Sequence, residues 1–236
     1  MADTELSLDS KKEKKSADKK VEGFLTRHRT LVIGLLAAAV VAVIAIVVIQ
    51  VVMENATKKN LAAIDSIEFA LTNPKALPEG YSASDVASLQ QTALDGLKPY
   101  LSKSGITGLR ANMLAADVAF QQKNYAEALS YYLDAAKLSK KSYTAPLCWF
   151  NAGVCAEELG NTSDALTYYQ NAVDYDGEFL LVAHALFSLG RVKESLSDYA
   201  GAKEVYQKLV DSHEGDTWTN LAQSRLIALK AQGLIE

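Results

Sequence analysis

Three stretches of this chain superpose on one another at a shift of 37 residues, twice and without a gap: NYAEALSYYLDAA from Asn124, NTSDALTYYQNAV from Asn161 and DYAGAKEVYQKLV from Asp198. A repeat of this length holds one helical hairpin, which cannot bury its apolar face alone, so the copies must stack into a solenoid. Asn124, Asn161 and Asp198 stand where a side-chain oxygen caps the first free N–H groups of a helix. Ala128, Ala165 and Ala202 come four residues later, and Tyr132, Tyr169 and Tyr206 four after that, on the same face. Upstream, Ala116, Gly153 and Gly190 keep the spacing within an apolar-periodic stretch that supplies the first helix of each hairpin. Small residues on both helices let the backbones approach, and the large Tyr fills the space beside the crossing.

These features resemble the tetratricopeptide repeat (TPR), a helix–turn–helix unit with small and aromatic residues at set positions. The middle copy carries Trp149, Ala152-Gly153, Gly160, Ala165, Tyr169 and Ala172; the third carries Leu189-Gly190, Ala202 and Tyr206; the first carries Ala116, Tyr125, Ala128, Tyr132 and Ala135. The period exceeds the usual 34 residues, and Lys140, Gly177 and Glu214 replace the closing Pro, which implies longer links or longer helices. The expected class is all-α, with three repeats over residues 105–215. Residues 216–236 hold a capping helix whose apolar positions are Trp218, Leu221, Leu226 and Leu229. Residues 54–104 read as two linker helices, 60–71 and 84–101, split by the breaker-rich NPKALPEGY of 73–81 into a degenerate hairpin.

Residues 31–53 read LVIGLLAAAVVAVIAIVVIQVVM, with no charge and one amide, Gln50. As a helix this run is about 35 Å long, enough to span about 30 Å of hydrocarbon with modest tilt. Lys11, Lys12, Lys14, Lys15, Lys19, Lys20, Arg27 and Arg29 precede it, whereas only Lys58 and Lys59 follow closely, so the bias in basic residues places the N-terminus in the cytoplasm and residues 54–236 across the membrane. A cleavable signal peptide would have a shorter apolar core ending in small-x-small, which favours an uncleaved anchor here. Residues 1–30 mix six acids with the eight bases and are expected to form a disordered, solvated tail.

The exported part carries a net charge of −6, which argues against nucleic acid as a partner. His28, His184 and His213 have no second ligand at metal spacing. Cys148 and Cys155, seven apart on one helix, stand too far apart for a disulfide and read as small buried hydrophobes. No phosphate loop, nucleophile elbow, zinc-binding helix or paired-carboxylate motif is present, so no catalytic residue, cofactor, metal or small-molecule substrate is expected. Glu157-Glu158 reads as a solvated helix end. Asn55-Ala56-Thr57 and Asn161-Thr162-Ser163 match the N-glycosylation triplet, which matters only in a eukaryotic lumen.

What remains is a binding surface. In TPR domains the first helices of the hairpins line a groove, and transferring those positions gives Arg110, Met113, Asp117 and Phe120; then Leu147, Phe150, Val154 and Glu157; then His184, Phe187, Arg191 and Glu194. Met113, Phe150 and Phe187 would stack there at equivalent positions, or else be inter-repeat core. The carboxylate clamp of co-chaperone TPR domains is missing, since only Asn151 fits it.

A basic cytoplasmic tail, one N-terminal span and a short exported solenoid together resemble the YfgM-like family, the ancillary subunit of the bacterial SecYEG translocon. That resemblance implies a chaperone-like or adaptor role in the inner membrane beside the translocon, with translocon subunits or unfolded exported chains as protein partners. A scaffold for a cell-division or outer-membrane assembly complex, and a receptor with its repeats in the cytosol, are the alternatives.

Overall fold

The computed structural model describes residues 26–73, 82–139 and 142–236. The expected disordered tail lies outside them up to residue 25, as do the breaker segment beyond Asn73 and the link at Lys140. The chain divides into two compact units, Met1–Ala56 and Thr57–Glu236. Among the described residues the structure is all-helical, with nine helices of about three turns or more and no strand.

In the first unit, the side chains of residues 31–53 are exposed apart from half-buried Val32, as an apolar helix without protein neighbours must leave them. Their helix, α1, runs Arg29–Thr72. It continues where a second, separate helix was expected, because no Gly or Pro interrupts residues 54–72.

In the second unit the end of α1 contributes Ile64, fully buried against Leu94 and Leu97 of α2 (Ala83–Leu101) and Ala111, Ala115 and Val118 of α3 (Gly105–Gln121). Ser82 and Asp85 form a reciprocal capping box at the start of α2. Three hairpins follow: α3 with α4 (Tyr125–Leu138), α5 (Thr144–Glu158) with α6 (Thr162–Val173), and α7 (Val182–Ser195) with α8 (Tyr199–Ser212). The last helix, α9 (Thr217–Ala231), covers α8.

The crossings are built as the spacing predicts. Ala128, Ala165 and Ala202 are fully buried, and the three tyrosines lie against them. A Cβ on Gly153 would come within 2.6 Å of the Tyr169 ring, and one on Gly190 within 2.4 Å of the Tyr206 ring.

Each hairpin turns through the same closure. Residues 123, 160 and 197 adopt left-handed backbone, with φ of 59° at Lys123, 75° at Gly160 and 62° at Ser197. Asn161 N–H donates to Ala156 O and Gly160 N–H to Glu157 O, the paired bonds of a Schellman motif, and the bonds recur at the other two turns. Side-chain capping is less regular than expected: Asp198 accepts from Gly201 N–H, whereas Asn124 and Asn161 make no capping bond. The Asn124 amide instead donates to Glu127. On α9, Trp218, Ala222, Leu226 and Leu229 form the packing stripe at spacings of four, four and three, and Leu221 faces solvent.

Candidate functional site

The first helices of the second and third hairpins, α5 and α7, enclose an open cleft of about 530 Å³ with Tyr169 of α6 at its wall. It is lined by Val154, Glu157 and Glu158 of α5 and by His184, Ser188 and Arg191 of α7. Four of the expected groove residues, Val154, Glu157, His184 and Arg191, are therefore brought together.

The charge in this cleft is organised around one carboxylate. Tyr169 Oη and Arg191 Nη2 both donate to Glu157 Oε2, each at 2.6 Å. Burial and then the bond to Glu157 push the Tyr169 hydroxyl far up, so it stays a donor across the working pH range. Arg191 is raised chiefly by its hydrogen bond to Glu157. The same arrangement recurs one joint later. Tyr206 Oη donates to Glu194 Oε1 at 2.6 Å, and Arg225 of α9 grips that carboxylate through Nε and Nη2. Burial works to raise the Glu194 pKa, but the bonds from Arg225 and Tyr206 outweigh it and hold the carboxyl below its ordinary value.

His184 closes the far side. Its ring lies flat on Trp218, with centroids 3.7 Å apart and planes 8° from parallel, and Phe150 packs against it at 4.7 Å, tilted by 59°. Desolvation and then the Arg191 charge lower its pKa, so the imidazole is neutral near pH 7.

Phe150, Phe187 and Met113 pack into the joints between helices, the alternative left open for them, rather than lining this cleft. Phe150 is only 5% exposed, held among Tyr169, Phe179 and His184. Phe187 is half-buried against Tyr206 and Trp218. Met113 packs with Leu109, Ala135, Ala136, Cys148 and Trp149. Each fills a different joint, because side chains of that size lose more in water than a groove returns to them. Phe120 stacks edge-on against Tyr125 at 5.3 Å, and Leu147 is half-buried. Arg110 is drawn to Asp65 and Glu68 of α1, at 2.7 Å from each. Asp117 is open to solvent on one side and accepts from Tyr132 Oη at 2.6 Å on the other.

Glu157, expected both as a groove residue and as part of a solvated helix end, is the centre of the cleft. Its 37-residue register with Glu194, twelve residues before a repeat Tyr in both cases, is the signal that finds it. Tyr169 and Ser188 also line the cleft without having been expected there, and Trp218 backs it through His184. Burial pushes the Cys148 and Cys155 thiols up to about 12, as inert core cysteines require. Among the described residues no group of His, Cys, Asp or Glu is placed to hold a metal ion.

Residues 108–143 and 149–217 match the tetratricopeptide repeat family. Among solved structures, the chain is similar to the TPR-like repeats of a putative kinesin light chain from Podosopora anserina, with a TM-score of 0.55 and 11% identity over 75% of this chain and 88% of that one. BtubC from P. vanneervenii gives a TM-score of 0.51 and 19% identity over 76% and 84%. The apo form of RapI gives 0.53 and 16% over 70% of this chain, which spans less than half, 46%, of RapI. At these identities the likeness is one of fold. No curated protein sequence matches the chain. The molecule thus carries a TPR-type solenoid, a fold typical of protein–protein interaction.

Proposed function

We propose that the protein is a membrane-anchored interaction module that holds a protein segment along the first-helix face of its hairpins, beside the machinery through which polypeptides leave the cytoplasm. The cleft between α5 and α7 carries this reading. It is large enough for one or two side chains, it is open, and its lining is rich in hydrogen-bonding groups. Residues 31–53 supply a helix long and apolar enough to cross a bilayer, and the basic excess ahead of them supports an exported solenoid. An exported client loses conformational entropy on binding, so each contact is weak and release is fast.

A photo-crosslinking residue at exposed Glu158, on the rim of the cleft, should capture translocon subunits or exported chains in transit, whereas one at exposed Gln207 on α8 should not. Identical products at both sites would defeat the cleft assignment. A phosphatase that is active only outside the cytoplasm, fused after Glu236, should be active; an inactive fusion at normal expression reverses the topology and removes the exported role.

A further inference from the structure

The chain repeats one arrangement at its later joints and breaks it at the first. Glu157 holds Arg191 from the next hairpin, and Glu194 holds Arg225 from α9. Allowing for the shorter link into α9, Arg225 stands there as Arg191 stands on α7. The 37-residue register puts Phe120 where those glutamates are, and Asp117 where Val154 and Arg191 are. Tyr132, lacking a glutamate at 120, turns its hydroxyl to Asp117.

A carboxylate therefore occupies the place that carries a guanidinium in α7 and α9. Glu68 of α1 faces it closely enough to raise its pKa further, after desolvation has done most of that work, while Arg110 is already engaged with Asp65 and Glu68. Among the described residues no cation pairs with Asp117. We infer that Asp117, backed by the Tyr132 hydroxyl, receives a lysine or arginine side chain of a protein partner lying along the first-helix face. The partner brings the cation that Arg191 and Arg225 supply from within the chain at the later joints. The net charge of −6 on residues 54–236 favours such a segment at long range. This inference rests on the proposed groove binding and specifies its chemistry.

The test presents the full chain, reconstituted in lipid nanodiscs, to immobilised nonapeptide mixtures that are degenerate except for a central Arg, Lys, Gln, Glu or Leu. Retention on the Arg and Lys mixtures should exceed that on Gln by about five-fold, the size of a partly exposed ion pair. Asp117→Asn should level the five mixtures and Asp117→Glu should keep the preference, with cooperative thermal melting showing that both variants are folded. Val154→Arg, which sets an in-chain guanidinium at the next position along the face, should weaken the basic mixtures selectively. Binding without a basic preference, or a preference that survives Asp117→Asn, overturns the inference and leaves groove binding intact. No binding to any mixture overturns both.

Discussion

The joint between the first two hairpins and the joint between the last two are made from the same repeat, yet they are held together differently. At the later joint a buried tyrosine hydroxyl, a glutamate and an arginine from the next hairpin form a relay, and the small residue beneath the tyrosine must be glycine. At the earlier joint Phe120 and Val154 replace the ion pair, the tyrosine bonds to Asp117 one helical turn earlier, and Ala116 is tolerated below its ring. The polar relay thus constrains the ring to a closer approach than the apolar joint does. A stack of repeats is stiffened where charge links neighbours and left chemically open where it does not.

The most damaging way to probe this contrast is to fill the glycine. Gly153→Val drives a branched side chain into the Tyr169 ring, which Ala156, Ala165 and Leu189 hold in place, and should cost about 2–3 kcal/mol in chemical denaturation. Ala116→Val, under the looser Tyr132, should cost visibly less. Equal losses would mean that the two rings are seated alike and that the relay does not tighten the crossing.

Removing the hydroxyl comes next. Tyr169→Phe leaves Glu157 with Arg191 alone and should cost about 1.5–3 kcal/mol, the range for a hydrogen bond to a charged group. Tyr132→Phe leaves Asp117 to water on its open side and should cost less than half as much. A larger loss at Tyr132 would reverse the reading of which joint is the rigid one.

The two carboxylates should also respond to pH with opposite signs. Glu194 is held below its ordinary pKa, so it stabilises the fold above the unfolded carboxylate pKa, and that contribution fades as pH falls through its folded value. Asp117 is pushed up by the desolvated crevice, even though solvent reaches the residue, and then by Glu68. Its contribution is present below the unfolded carboxylate pKa and is lost as pH rises through the folded value. Melts of Glu194→Gln and Asp117→Asn between pH 7 and pH 3 check this. The first variant should be destabilised at pH 7 and approach the parent in acid; the second should be at least as stable as the parent at pH 7 and lose that advantage in acid. Parallel curves would show that the first joint, at Asp117, and the joint onto α9, at Glu194, are electrostatically alike.

The parts legible in the sequence are those set by size and spacing. Ala128, Ala165 and Ala202, the tyrosines four residues on, and Gly153 and Gly190 beneath them could be placed because close approach of two helices demands small residues in fixed register. Direction and competition were not legible. The register shows that Phe150 and Phe187 share a face, but whether the face is groove or core depends on what packs over it: His184 from the next hairpin and Phe179 from the link before it cover Phe150, and Trp218 of α9 covers Phe187. The change of tyrosine partner from glutamate to Asp117 likewise depends on a substitution, Phe120, whose effect is felt on another helix. The single α1 was obscured by the polarity of residues 54–60, which does not by itself end a helix.

The smallest expected effect concerns the turns, where all three hairpins agree in backbone and differ in residue. Gly160 takes its left-handed φ without penalty, whereas Lys123 and Ser197 hold the same conformation against the clash of their Cβ atoms. The shared Schellman bonds impose that geometry on all three. Lys123→Gly and Ser197→Gly should therefore each relieve strain of about 1 kcal/mol or slightly more, partly offset by the greater freedom of glycine in the unfolded chain, for a net gain of about 0.5 kcal/mol. Gly160→Ala should lose a similar amount. Because the turns are alike, both gains should match, and the double variant should be additive, as expected of sites separated by a whole hairpin. A gain at Ser197 with a loss at Lys123 would show that the Lys123 side chain makes a contact worth keeping in the first hairpin, and would carry the difference between the joints into the turns as well.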